Sequence, residues 1–407
     1  MSLGSCQFLQ DSSPLLQSGR NDRLEPDHPS DSTSAGGNGS VPDTTVYVTA
    51  VDYPEGTDWV KFPYAPGSRL VLFANGVKTM EIPVGAGYLT TVDSDMHRLR
   101  GGHLYTDYST AGETVILKDG RQVFRYPGRE SLKGFLLSGE DIYTLGQDRD
   151  GDGWSFRKNG TAVSSSENGI ILSDWDGHSF PGGALQKEGE KLSFYWHIPV
   201  SGETGFRPGE FFKYEDGRSE ALTLPSGATK VLDIRSIGGK TVICYSGPAA
   251  PMLSVGGSIL SPGMNGNKLL SCRIYPTGDG DIRLGGRVRY SEEWTTDECW
   301  DRTSRIRQFT PGVSVGEYSF WKGEAAYVSS LFEGYAEKAV RHDGEESFTL
   351  PSGGRLMARR CFLLYGGRMY VAVSGEASKG SGSGLWVDGK FTPYEVNGPL
   401  TGVWVEP

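Results

Sequence analysis

The chain has 407 residues, 58 of them glycine and 19 tyrosine, with 37% hydrophobic residues and a formal net charge of -10. The acidic balance argues against a nucleic-acid partner, whose phosphates need a basic surface. No stretch sustains a 3.6-residue apolar period over about 11 positions, and none reaches the ~18 apolar residues of a membrane-spanning helix. A turn-rich all-β protein is expected.

The chain begins Met1-Ser-Leu-Gly-Ser-Cys6. Leu3-Gly4-Ser5-Cys6 resembles a bacterial lipobox, with five residues upstream in place of the usual apolar segment. The resemblance implies lipidation of Cys6. Residues 7 to 43 are rich in Ser, Asp, Gly, Pro and Asn. Such a composition buries too little apolar surface to offset its ordering entropy, so a disordered tether is expected. The predicted organisation is therefore a lipobox-like start and tether over 1–43, then a folded unit over 44–407. An ordinary disordered tail explains the same composition.

Folded sequence opens with Val46-Tyr-Val-Thr-Ala-Val51, then Leu70 to Ile82 with a hairpin at Asn75-Gly76. Asn-Gly and Asp-Gly favour type I′ turns because both central residues must accept positive φ. The next unit turns at Gly101-Gly102 and again at Asp119-Gly120, and its successor at Gly139-Glu140 and Asn159-Gly160. Further units turn at Gly189-Glu190 and Asp216-Gly217, then at Gly238-Gly239 and Gly256-Gly257. The sixth is the most degenerate, with Leu269 to Tyr275, a turn near Asp279-Gly280, and Ile282-Arg-Leu. A seventh holds Phe320 to Val328 with Asp343-Gly344, and the last turns at Gly366-Gly367 and Asp388-Gly389.

The first turns recur about every 44 residues, the spacing of propeller blades of four short strands. The first unit lacks an innermost strand, and Leu400-Thr-Gly-Val-Trp-Val405 is a spare one at the other end. Placed beside Val46–Val51, it would close the ring and remove open edges. The expected fold is a single all-β propeller of four-stranded blades, eight preferred and seven possible. Trp154-Ser-Phe-Arg-Lys-Asn-Gly160, Val115-Ile-Leu-Lys-Asp-Gly120 and Leu385-Trp-Val-Asp-Gly389 are similar to the hairpins of a class of bacterial envelope propellers, whose blades carry a Leu-Trp-Lys-Asn-Gly-like turn. The resemblance implies a fold and an envelope address. It carries over no catalytic residues.

Asp148-Arg-Asp-Gly-Asp-Gly153 matches the opening of a calcium loop, making Asp148, Asp150 and Asp152 candidate Ca2+ ligands. The match fails at its ninth and twelfth positions, Phe156 and Asn159; a solvated acidic loop is the alternative. Ser173 to Phe180 resembles a sialidase Asp-box with its aspartates misplaced, and an Asp-box is structural in any case. His28, His97, His103, His178, His197 and His342 show no zinc spacing. Cys244, Cys272 and Cys361 sit in apolar strand patterns, as small buried hydrophobes do, although pairing between blades stays open.

Two stretches read as inserts: His197 to Pro208, and Ser291 to Asp301, which places Trp294 and Trp300 among acids as candidate ligand-binding aromatics. Folding back of both rings onto the blade is the alternative. The leading expectation is a monomeric, non-enzymatic lipoprotein, lipid-anchored in the envelope of a Gram-negative bacterium, binding carbohydrate or protein through one propeller face. The alternatives are a propeller glycosidase or lyase, and a structural subunit of an envelope assembly.

Overall fold

The computed structural model describes residues 44–59, 65–83, 98–109, 112–128, 130–148, 153–172, 184–198, 210–247, 251–260, 268–276, 281–290, 295–302, 305–308, 314–321, 324–330, 336–341, 361–375 and 382–407. The tether and Cys6 lie outside them. The described strands form a single β-propeller of antiparallel sheets. Seven sheets carry four or five strands, and one carries three described strands.

In the third sheet, Glu130–Ser138, Asp141–Asp148, Trp154–Lys158 and Thr161–Ser166 follow one another as neighbours. Their alternation sends Phe135, Leu137 and Ile142 towards the second sheet, and Leu136, Leu145, Trp154 and Phe156 towards the fourth. The fourth sheet varies the plan. Its innermost strand is split into Ile170–Ile171 and Gln186–Glu188, which pair with opposite ends of Lys191–His197. The Asp-box-like segment falls in the break, outside the described residues.

The first sheet joins Thr45–Asp52, Arg69–Ala74 and Val77–Pro83 to the C-terminal strand Leu400–Glu406. Val46 lies opposite Val405 and Val48 opposite Val403, the pairing expected from the spare strand. Thr401 and Thr49 bond to each other through their hydroxyls (2.8 Å), fully buried within that pairing.

One device recurs at the hairpins. Asn75, Asp119, Asn159, Asp216 and Asp388 all have φ between 43° and 51°, each followed by a Gly of positive φ. Each side-chain oxygen accepts the N–H that begins the sheet's second strand: Val46, Leu104, Ile142, Leu192 and Met369 respectively (2.8–3.3 Å). In the first four, the turn residue's own N–H returns a bond to the same residue's carbonyl. The Asn/Asp preference thus answers two needs, positive φ and a short acceptor.

Among the described residues, apolar clusters fill the six seams that do not involve the seventh sheet. Val48, Ala50, Val371 and Trp386 join the first sheet to the eighth, and Ile234, Ile243 and Tyr195 join the fourth to the fifth. Strand Ser314–Trp321 of the seventh sheet packs beside Thr295–Trp300 of the sixth and Phe362–Tyr365 of the eighth.

Asn159→Ala removes the acceptor for Ile142 N–H and leaves a non-Gly residue at positive φ. We expect a loss of about 1–2 kcal/mol of stability in urea unfolding. Asn159→Asp keeps an acceptor for Ile142 N–H but replaces the amide donor to Asp141 (2.8 Å) with a like charge, so it should not recover the loss.

Candidate functional site

The two ends of the propeller are built differently. At one end, the first-to-second-strand turns Gly101-Gly102, Gly139-Glu140, Gly189-Glu190, Gly238-Gly239 and Gly366-Gly367 are all two-residue, and so are the Asn/Asp-Gly or Gly-Gly hairpins. This end is also latched between sheets. Glu406 accepts the N–H groups of Gly101 (2.9 Å) and Gly102 (3.1 Å), and Glu188 accepts that of Gly239 (2.9 Å). The longer connections at the turn end are 277–281 and 301–304 of the sixth sheet and the start of 342–361, while the strands flanking the connections 53–68, 84–97 and 198–210 meet the opposite end. The candidate site is this loop-bearing end.

Its described floor is held by polar side chains. Gln147 donates to the carbonyls of Gly153 (2.8 Å) and Gly169 (3.1 Å) and accepts Ile171 N–H (2.8 Å), tying three segments together. Asn397 donates to the carbonyl of Pro54 (2.8 Å), and its own N–H reaches Asp52 (2.9 Å). Ser383 donates to the Gly398 carbonyl (2.7 Å) and accepts Gly375 N–H (3.1 Å). His197 ends its strand at the start of the 198–210 connection, half-buried and stacked on Phe211 (5.5 Å between ring centroids, 12° between planes). Burial holds its imidazole below the ordinary 6.5, opposed by a hydrogen bond with the Ile198 backbone.

Three buried acids, Glu130, Asp233 and Glu298, are engaged within the sheets. Glu130 takes a two-pronged bond from Arg157 (2.6 and 2.7 Å), whose guanidinium lies 3.9 Å from the Tyr126 ring centroid. Burial first, then the Glu130 charge, pushes the Tyr126 hydroxyl upward. Fully buried Asp233 accepts Ile234 N–H (2.7 Å) and Ile274 N–H (2.8 Å), with Arg235 Nε at 3.1 Å. Burial raises its carboxyl against the opposing pull of Arg235. Glu298 accepts from the Tyr290 hydroxyl and from Arg305 (3.4 Å).

The candidate residues fall in different places. Trp300 is fully buried between the fifth and sixth sheets with Leu253, Cys272 and Leu284, so it is a core residue and not a ligand-facing ring. The stretch read as an insert contains strand Thr295–Trp300, the third of its sheet. Its acids disguised it: Glu298 is buried against Tyr290 and Arg305 instead of facing water. Asp148 ends its strand at the loop-bearing end, its N–H bonded to the Gly153 carbonyl (2.8 Å). Asp150, Asp152 and Trp294 lie outside the described residues, as do His28, His97, His178 and His342. Among the described residues no three His, Cys, Asp or Glu side chains converge as a metal site would require. Asn397 and the Glu130–Arg157 pair were missed by motif reading because their partners lie far off in sequence, and Gln147 and the Asp233–Arg235 pair because nothing in the spacing marks their burial.

No family model and no curated protein matches this chain. Among solved structures it is similar to lmo1340 of Listeria monocytogenes (12% identity, 75% of this chain and 96% of that one, TM-score 0.39). It is also similar to BamB from Moraxella catarrhalis (10% identity, 64% and 73%, TM-score 0.35). A third is the β-propeller domain of the Trilobed protease from Pyrococcus furiosus (12% identity, 73% and 81%, TM-score 0.34). Likeness at this level assigns no activity, and the architecture rests on the strand pairings themselves.

Arg157→Ala strands a buried carboxylate at Glu130, and unfolding free energy should fall by about 3–5 kcal/mol. Replacing both partners with apolar residues, as Glu130→Leu with Arg157→Met, should restore most of it. His197 supplies a pH test. Its folded value lies below 6.5, so on acidification the unfolded chain protonates first and stability declines as pH falls through 6.5. The urea midpoint of the wild type should therefore drop more between pH 7.5 and 5 than that of His197→Gln; parallel curves would rule out a shielded ring.

Proposed function

We propose that the chain is a non-enzymatic binding module of the bacterial cell envelope, a monomer that holds a carbohydrate or protein ligand on its loop-bearing end. The eight sheets form one closed ring in this reading, completed by Leu400–Glu406. The observation that carries it is the asymmetry of the ends. In the first five sheets and the eighth, one end has two-residue turns, latched by Glu188 and Glu406, while the other receives the long connections 53–68, 84–97 and 198–210. A rigid scaffold with long loops gathered at one end suits recognition. The buried carboxylates of Glu130, Asp233 and Glu298 are engaged in holding strands and sheets, which favours binding over hydrolysis. Cys6 and the following tether fit a lipid-anchored protein held away from a membrane.

The test is a glycan-array screen and a pull-down from envelope extract with the full chain, checking every hit for turnover. Exposed acids allow the two ends to be compared. Glu55→Lys, Glu167→Lys and Glu395→Lys combined reverse charge at the loop-bearing end, and Glu140→Lys with Glu190→Lys does so at the turn end. We expect the first set to weaken ligand binding by about tenfold or more and the second by less than about twofold. Turnover of a bound glycan, or equal loss from both sets, would overturn the assignment.

A further inference from the structure

The seam between the fifth and sixth sheets carries two thiols that the binding reading does not use. Cys244 lies on the second strand of the fifth sheet, Lys240–Ser246, level with Asp233 on one side and Leu253 on the other. Its side chain joins Val242 and Leu253 on the side facing the sixth sheet, while Ile243 and Tyr245 face the fourth. Cys272 lies on the innermost strand of the sixth sheet, Lys268–Pro276, and joins the same cluster with Ile274, Leu284 and Trp300. The Asp233 carboxylate, on the strand beside Cys244, receives the N–H of Ile274, two residues beyond Cys272. That bond brings the two cysteine positions into register across the seam, where strands Lys240–Ser246 and Lys268–Pro276 pack directly. Burial, and then the neighbouring Cys244 thiol, push the Cys272 thiol well above its usual range.

We propose that Cys244 and Cys272 are a redox pair that closes into a disulfide between two neighbouring sheets when the chain folds in an oxidising compartment. The oxidant is a small-molecule or protein disulfide. One thiolate attacks it, forming a mixed disulfide and releasing one thiol; the second cysteine's thiolate then displaces the other thiol and completes the Cys244–Cys272 bond. Two protons leave the cysteines and two electrons go to the oxidant. Both side chains are sealed in the folded state, at 0% and 2% exposure, and a buried thiol with a raised pKa holds little thiolate. The bond therefore forms during folding, and the reduced folded protein resists oxidation. Cys299 and Cys361 stay apart from this chemistry: Cys299 neighbours Trp300 on the opposite face of its strand, and Cys361 lies in the cluster between the eighth and first sheets.

The test refolds the reduced, denatured full chain with oxidised glutathione and maps peptides without reduction. A Cys244–Cys272 cross-linked peptide is expected, with Cys299 and Cys361 recovered as alkylated thiols. Tm should exceed that of the reduced protein by about 5 °C, because the bond restricts the unfolded chain, and dithiothreitol added to unfolded protein should abolish the gain. Cys244→Ala and Cys272→Ala should each remove the redox-dependent difference, whereas Cys299→Ala should keep it. Recovery of both cysteines as free thiols after oxidative refolding, or a dominant link between any other pair, would overturn the proposal. Because the decisive readout is the peptide map of the wild type, an unstable variant does not obscure the result.

Discussion

A short side chain at one turn residue in each of five sheets sets the register on which the rest of the propeller depends. Asn159 stands at the corner between the third and fourth strands of its sheet, yet its oxygen bonds the start of the second, at Ile142. Its amide group also reaches the Asp141 carboxylate (2.8 Å). Three strands and two turns are thereby fixed by one residue. The requirement is strict because a slip of one position would exchange the two faces of every strand. In this protein both faces matter, since the first five sheets each bury one side against the predecessor and the other against the successor. The same bond recurs at Asn75, Asp119, Asp216 and Asp388, so the condition is met locally in most sheets before any long-range contact is made.

Local register leaves the seams to be settled by packing. Aromatic residues do much of this between the third and fourth sheets, where Trp154 meets Phe194 edge-on (5.0 Å) and Phe194 stacks on Tyr214 (4.6 Å). Buried charge does it at one seam, where Arg157 of the third sheet lies over Tyr126 of the second while holding Glu130. Such a pair adds specificity more than stability, because desolvating both ions offsets their attraction. At the turn end, the Glu latches tie neighbouring sheets by bonds to backbone N–H groups, which only a tight, regular end can present. Outside the sixth and seventh sheets, variation in connection length falls at the other end.

What could be read in the sequence follows from the same division. The hairpins were legible because positive φ and the Asn/Asp acceptor both leave a two-letter mark. The pairing of Leu400–Glu406 with Thr45–Asp52 was legible as an unpaired remainder at each end. Interactions between distant residues left no such mark. Nothing in the spacing of Glu130 and Arg157 shows that they meet, and the acids of Thr295–Trp300 read as solvated until Tyr290 and Arg305 are seen to cover Glu298. The loop-bearing end was legible only as a set of gaps between hairpins, which gives its location without its contacts.

The fifth and sixth sheets show what replaces the local device when it is lost. The fifth turns at Gly256-Gly257, which retains the backbone bond from Gly256 N–H to the Thr241 carbonyl (2.9 Å) but has no side chain to accept the next strand's N–H. The sixth lacks an Asn-Gly or Asp-Gly dipeptide between its third and fourth strands, where the chain runs Asp301-Arg-Thr-Ser304. It is at the seam between these two that Asp233 is buried and bonded across to Ile274, and there that Cys244 faces Cys272. Register given up within a sheet is recovered between sheets, by a buried carboxylate that can satisfy its hydrogen bonds only if both strands are correctly placed. A carboxylate that burial pushes towards its neutral form is a costly way to hold strands in place. A sulfur link beside it would relieve that dependence, because the two sheets would then stay aligned whatever the state of Asp233.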